Sequence, residues 1–273
     1  MEYIRYILFA IIIFTSTSCE YNLLRFGWTD YTVNERFNDS KAYNKAHPAK
    51  CLETESDEYF FTVTSDYHLE KDSACLPKFF KYINSSKSTF VTLNGDLYNS
   101  YEEYANFAHS ALTNGIKIPA YYTAGNHDQY FGWNIYYDRW GSSTYSFTVT
   151  TPNHKDLYIV LETGSSTLGK DQYNWLSDML DQRNNYRYCI ILTHSNFTYQ
   201  GFRNGVFTQE ETIMLYDLFA RNNVNMVISG HSHRENDVDL EGVRYITIGA
   251  MKNGEFGTCY VNKSGISFRF EDL

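Results

Sequence analysis

Five short apolar runs, each closed by a cluster of Asp, His, Asn or Gly, constrain this chain more than any other feature. Tyr59–Thr64, Thr89–Leu93, Pro119–Thr123, Tyr188–Leu192 and Val224–Ile228 have the length and the β-branched or aromatic content of buried strands. Behind them stand Ser65-Asp66-Tyr67-His68, Asn94-Gly95-Asp96, Gly125-Asn126-His127-Asp128, His194 and Gly230-His231-Ser232-His233. Five of the eight histidines fall in these clusters. Each cluster offers one or two groups able to bind a metal, and the glycines let the backbone turn sharply.

Helical patterns separate the runs. Tyr101, Tyr104, Phe107, Ala108, Ala111 and Leu112 share one face, and Asn114-Gly115 ends it. Thr208 and Glu211 form a capping-box pattern ahead of Met214, Leu215, Leu218 and Phe219, and Trp175, Leu176 and Leu180 read as the core face of a helix. Arg244–Ile248, Thr144–Thr150, Leu157–Glu162, Gly257–Val261 and Ile266–Phe270 are further strand candidates. Alternating strands and helices with extra antiparallel strands predict a layered α/β domain. In such sheets ligands gather past the carboxyl ends of strands, where these clusters lie. An aromatic content of 18% suits a sheet-rich fold, and a formal net charge of −9 argues against a broad nucleic-acid surface. A small phosphorylated partner stays open if the site carries its own positive charge.

Residues 1–19 read as an export signal: Arg5, then the apolar run Tyr6–Phe14, then Thr15-Ser16-Thr17-Ser18 and Cys19. The small residue before Cys19 resembles a bacterial lipobox, although Ser16 stands where Leu is usual. That makes Cys19 the expected lipid attachment site and places the chain on a cell-envelope membrane; ordinary cleavage near Ser18 is the alternative. Residues 20–56 read as a tether and an irregular lead-in, and 57–273 as the folded domain. Export permits a Cys51–Cys75 bridge, whereas Cys189 and Cys259 sit in apolar runs and read as buried thiols.

The ordered series D-x-H, G-D, G-N-H-D, a lone His and G-H-x-H resembles the calcineurin-like metallophosphoesterases over about residues 57 to 270. The resemblance implies a four-layer α/β/β/α sandwich, with two mixed β-sheets flanked by helices. It also implies two divalent transition metal ions, Mn, Fe or Zn. Asp66, His68 and His233 would hold one, Asn126, His194 and His231 the other, and Asp96 both. These ligand types suit all three metals. The implied reaction is hydrolysis of a phosphate mono- or diester by a metal-bridging hydroxide, with His127 as general acid. The D-x-H form leans toward diesters. Two divalent ions would leave the site net positive despite the acidic chain.

Other positions are open at this level. Asn99 stands where several relatives have an Asp that orients the acid histidine. Asp128 reads either as an N-cap or as the orienting partner of His127. Arg203 reads either as a phosphate contact or as a solvated loop residue. His68, and Tyr98 one place short of a ligand tyrosine, argue against a purple iron–tyrosinate centre. A catalytically silent surface binding module of the same fold, or a slow phosphoglycan scavenger, are the alternative functions.

Overall fold

The computed structural model describes residues 31–130, 132–198 and 207–273. The smaller sheet contains β2 (Tyr59–Thr64), β3 (Val91–Asn94), β4 (Ala120–Thr123), β11 (Glu255–Asn262) and β12 (Gly265–Asp272), in the order β12-β11-β2-β3-β4. Its β2, β3 and β4 run parallel, while β11 is antiparallel to both neighbours. The larger sheet contains β1 (Leu52–Glu53), β5 (Tyr145–Thr150), β6 (Lys155–Leu161), β7 (Cys189–Thr193), β8 (Met226–Ser229), β9 (Asn236–Leu240) and β10 (Val243–Thr247). Its order is β1-β5-β6-β7-β8-β10-β9, with β6, β7, β8 and β10 parallel.

The two sheets face each other across an aromatic core. Phe61 stacks on Phe90 at 4.6 Å, Phe147 stacks on Tyr121 at 3.6 Å and on Tyr158 at 4.9 Å, and Ile190, Leu192 and Ile228 fill the remaining space. Flat rings from inward positions of alternating strands give this layer its thickness. The outer face of the smaller sheet is covered by α2 (Cys75–Ser85), α3 (Glu102–Gly115) and α4 (Trp133–Trp140). The outer face of the larger one is covered by α5 (Gly169–Leu180) and α6 (Gln209–Arg221). The expected four layers are therefore present.

Local details differ from the sequence reading. The face of α3 is made by Ala105, Ala108 and Leu112, while Tyr101 lies outside the helix and is exposed. Thr208 caps α6 by accepting from Glu211 N, but the Glu211 carboxylate does not return to it. It takes the N–H of Leu168 at 2.7 Å instead, because the loop into α5 packs there. Met214 is exposed. The lead-in is not irregular throughout: α1 (Val33–Ala46) begins at a complete capping box of Thr32 and Glu35 and buries Val33, Arg36, Phe37 and Ser40. Its apolar stripe is too sparse to read as a periodic pattern. All four described cysteines are free, with Cys51 exposed, Cys75 donating to Lys252 O, and Cys189 and Cys259 buried. Among the described residues no helix is long and apolar enough to cross a membrane.

Candidate metal centre

The five strand ends that carry the clusters are those of β2, β3, β4, β7 and β8, and they meet at one rim of the sandwich. The loops after β2 and β3 continue side by side. Asp66 N donates to Gly95 O at 3.0 Å, His68 N to Asp96 O at 2.9 Å and Leu69 N to Leu97 O at 3.1 Å. Asp66, His68, Asp96, His231 and His233 all have left-handed backbone, with φ between 47 and 70°. That conformation is uncommon for residues with side chains and aims all five inward. Gly125 has no room for a side chain, since a Cβ would overlap Asp96 Oδ1, and a Cβ on Gly230 would overlap Ser65 Oγ.

Three overlapping groups of donor atoms result, and two of them, Asp66-His68-His233 and Asp96-His194-His231, hold predicted ligands throughout; the third is His68-Asp96-His127. In the first, His233 Nε2 lies 3.1 Å from Asp66 Oδ1 and 3.1 Å from His68 Nε2. In the second, His194 Nε2 lies 3.1 Å from Asn126 Oδ1 and 3.1 Å from His231 Nδ1. Asp96 stands between them, with Oδ2 3.6 Å from His68 Nε2 and Oδ1 3.5 Å from His194 Nε2. All seven predicted ligands are thus brought together.

The hydrogen bonds behind these atoms test whether a cation fits. His194 Nδ1 lies 2.8 Å from the carbonyl of Asn94, which can only accept, so Nδ1 carries the proton. In the neutral ring Nε2 then turns a lone pair toward Asn126 Oδ1, itself an acceptor. Asn126 uses its Nδ2 on Tyr130 Oη at 3.2 Å. His68 repeats the pattern. Its Nδ1 meets Asn99 Oδ1 at 2.9 Å, and Asn99 Nδ2 donates to Glu70 Oε1 at 2.9 Å, which leaves His68 Nε2 as an acceptor facing carboxylates. His194 Nε2 and Asn126 Oδ1 converge as acceptors without a shared proton, which is what a divalent cation joins, and the hydrogen bonds behind His68 and His194 are how such ligands are held. The residues present fit two divalent ions.

Burial sets the charge states. Desolvation pushes His68 down to about 3 against the pull of Asp66. It pushes His127 down to about 4, helped by His194 and opposed by Asp66. Both values lie below the unperturbed imidazole value of about 6.5, so burial favours the neutral rings near pH 7. Burial alone would raise the Asp66 carboxyl, but the His233 hydrogen bond and the His194, His233 and His68 charges hold it below the usual carboxylate range.

His127 is anchored by its backbone, whose N–H donates to Asp96 Oδ1 at 2.8 Å. Its ring stands partly exposed, 4.6 Å from the ring of His68 and 5.3 Å from that of Tyr130. Two expectations about its support need correction. Asn99 bonds His68, not His127, because the zipped loops set it behind the first group. Asp128 neither caps a helix nor meets His127. Fully buried, it takes Leu97 N at 2.8 Å and Tyr98 N at 3.3 Å on Oδ1, and Gly125 N at 2.8 Å on Oδ2. Burial and the Asp96 charge push its carboxyl up, against those three N–H donors. Tyr98 is buried and donates to Asp128 O. Arg203 and Cys19 lie outside the described residues. The sequence reading also passed over Gln129, Glu70 and Glu162, none of which sits in a recognisable motif.

A two-sheet sandwich with these candidate ligands at one rim defines a metallophosphoesterase fold. The chain belongs to the calcineurin-like phosphoesterase family, whose sequence profile matches residues 61–235. No curated protein matches it. Among solved structures it is similar to a dimetal phosphatase from Danio rerio, with TM-score 0.65 and 12% identity over 78% of this chain and 96% of that one. It is also similar to GAP50, the anchor in the inner membrane complex of Plasmodium, with TM-score 0.64 and 14% identity over 82% and 85%. A purple acid phosphatase from yellow lupin (Lupinus luteus) seeds gives TM-score 0.58 and 14% identity, over 80% of this chain and 52% of that one. At these identities the likeness is one of fold.

Proposed function

We propose that the chain is a metal-dependent phosphoric ester hydrolase acting on a small phosphorylated substrate. One observation carries the reading: seven side chains from five strand ends converge as two acceptor groups that share Asp96. Asp66, His68 and His233 would hold one divalent ion, Asn126, His194 and His231 the second, and Asp96 both. Such ions supply Lewis acidity and a water of lowered pKa, chemistry that Mn, Fe and Zn can each provide.

The chain's own residues do the rest. Asp96 keeps the two groups in register and also fixes His127 through its backbone N–H. The His127 ring stands partly exposed at the rim, where its protonated form can pass a proton to a leaving oxygen. With only two carboxylates among the ligands, two divalent ions would leave the rim net positive toward an anion. The D-x-H form favours diesters over monoesters. The presence of all seven candidate ligands supports hydrolysis over a silent binding module, which would be free to lose them. Export and lipid anchoring through Cys19 complete the reading, and Arg203 would touch a phosphate oxygen.

The test uses purified chain loaded in turn with Mn, Zn or Fe. Bound metal is counted by mass spectrometry, and nitrophenyl phosphate is compared with bis(nitrophenyl) phosphate. Two ions per chain, turnover, and its loss in Asp96→Ala are expected. Two bound ions without turnover under any metal would establish the binding module instead.

A further inference from the structure

Helix α1 lies wholly outside the segment that matches the family profile, yet it sends a fully buried arginine toward the metal rim. Arg36, Glu162, Gln129 and Ser165 close a ring of four hydrogen bonds. Arg36 Nε donates to Glu162 Oε2 at 3.0 Å, and Gln129 Nε2 donates to Glu162 Oε1 at 2.5 Å. Ser165 Oγ donates to Gln129 Oε1 at 3.2 Å and accepts from Arg36 Nη2 at 2.7 Å. Gly164 N adds a donor to Glu162 Oε1 at 2.8 Å, and Arg36 Nη1 is held by Tyr31 O at 2.7 Å. Arg36 donates from all three of its guanidinium nitrogens, and Arg36, Glu162 and Gln129 are each at most 2% exposed.

Gln129 is the link to the site. Its backbone N–H closes a turn onto Asn126 O at 3.3 Å, and that turn displays Asn126 and His127. With its side chain pinned at both ends of the amide, the turn has one arrangement. A buried carboxylate without its cation is costly and draws in water or a proton, which would release the amide. We infer that Arg36 is a positioning residue for the metal centre, acting through Glu162 and Gln129 on the Asn126–His127 turn. The catalytic unit therefore begins at α1, ahead of both the profile match and the domain start at residue 57 expected from the sequence.

The inference rests on the metal-centre reading, so its test has one arm that needs no metal. Full-length Arg36→Met, Gln129→Leu and the double variant are compared with the unaltered chain. In calorimetric titration with Zn or Mn, each single variant should weaken one of the two ions by about tenfold, the low end for residues supporting ligands. The double variant should be no worse than the more affected single, because both break one linkage. In metal-free protein, amide hydrogen exchange at residues 125–129 should quicken in both singles. Gln129→Leu leaves the ion pair intact and carries the test if Arg36→Met does not fold. A lowered melting temperature with unchanged ion affinities and unchanged exchange at 125–129 overturns the inference, as do additive losses. An unaltered chain that takes up no metal overturns the functional reading alone, since the exchange arm still decides this one.

Discussion

Asp128 separates two accounts of the G-N-H-D motif. If it orients His127, its loss is a chemical defect; if it braces the loops, its loss is a structural one. The geometry supports the brace, and Asp128→Asn turns that into numbers. The amide keeps one oxygen and replaces the other with NH₂. With the oxygen kept on the side of Leu97 and Tyr98, the NH₂ faces the N–H of Gly125, which then has no acceptor. Leaving one buried donor unmade costs about 1–3 kcal/mol. For a chain of this size each kcal/mol lowers the melting temperature by about 2–4 °C, so the variant should melt about 2–12 °C lower. Leu97 follows Asp96 and Gly125 precedes Asn126, so both ions should also bind more weakly. Melting is followed by calorimetry, metal uptake by titration, and turnover with nitrophenyl and alkyl esters. The brace predicts losses that do not depend on the leaving group. An unchanged melting temperature, with a turnover loss that grows with leaving-group basicity, would refute it and restore the orienting role.

Three further outcomes are expected. His127→Asn should cost about 10²–10⁴-fold in turnover of alkyl esters but far less with a nitrophenolate leaving group, which needs no proton; equal losses would remove its role as donor. His233→Gly and His233→Ala both lack the imidazole, but at φ 53° alanine pays about 1–2 kcal/mol that glycine does not. The glycine variant should therefore melt about 2–8 °C higher, and equal melting would mean the backbone is free to leave the left-handed region. Hydrogen bonds from Asn153 and Thr151 hold the Asp57 carboxyl below its usual range. A depressed value means its stabilisation is complete above the unfolded carboxylate value of about 3.9 and is lost as pH falls below it. Asp57→Asn should accordingly flatten the fall of melting temperature on acidification, and an unaltered slope would contradict the assignment.

Most of the fold was legible because its strands are short apolar runs whose ends carry marked residues. The strands from Tyr59, Thr144 and Leu157 onward were placed to within two residues, since both faces of these strands are buried and the runs are nearly continuous. Helix α1 was not legible, because it docks through an arginine and a few apolar side chains rather than a stripe. Strand β9 was missed because it is an edge strand of alternating acidic residues with no buried position. The ligands were legible by motif order, but their supports were not. Asn99, Asp128 and Gln129 lie within or beside the motifs, and what each one holds depends on how loops from different strands pack, which no local pattern records.

The left-handed ligands show why the motif order and the fold go together. Five such residues at about 1–2 kcal/mol each is a cost comparable with the net stability of a whole domain. It is tolerable only where surrounding bonds hold the backbone. Those bonds come from the parallel pairing of β2 with β3, which carries on past the strand ends as the contacts from Asp66 to Leu69, and from Met251 N and Lys252 N, which donate to Ser65 O and Asp66 O. The side chains serve the same end, for Asp66 Oδ2 accepts from His231 N and ties the loop after β2 to the one after β8, across the two sheets. A ligand here is therefore also a strut. Its strain is borne by strand pairs that the aromatic core already fixes.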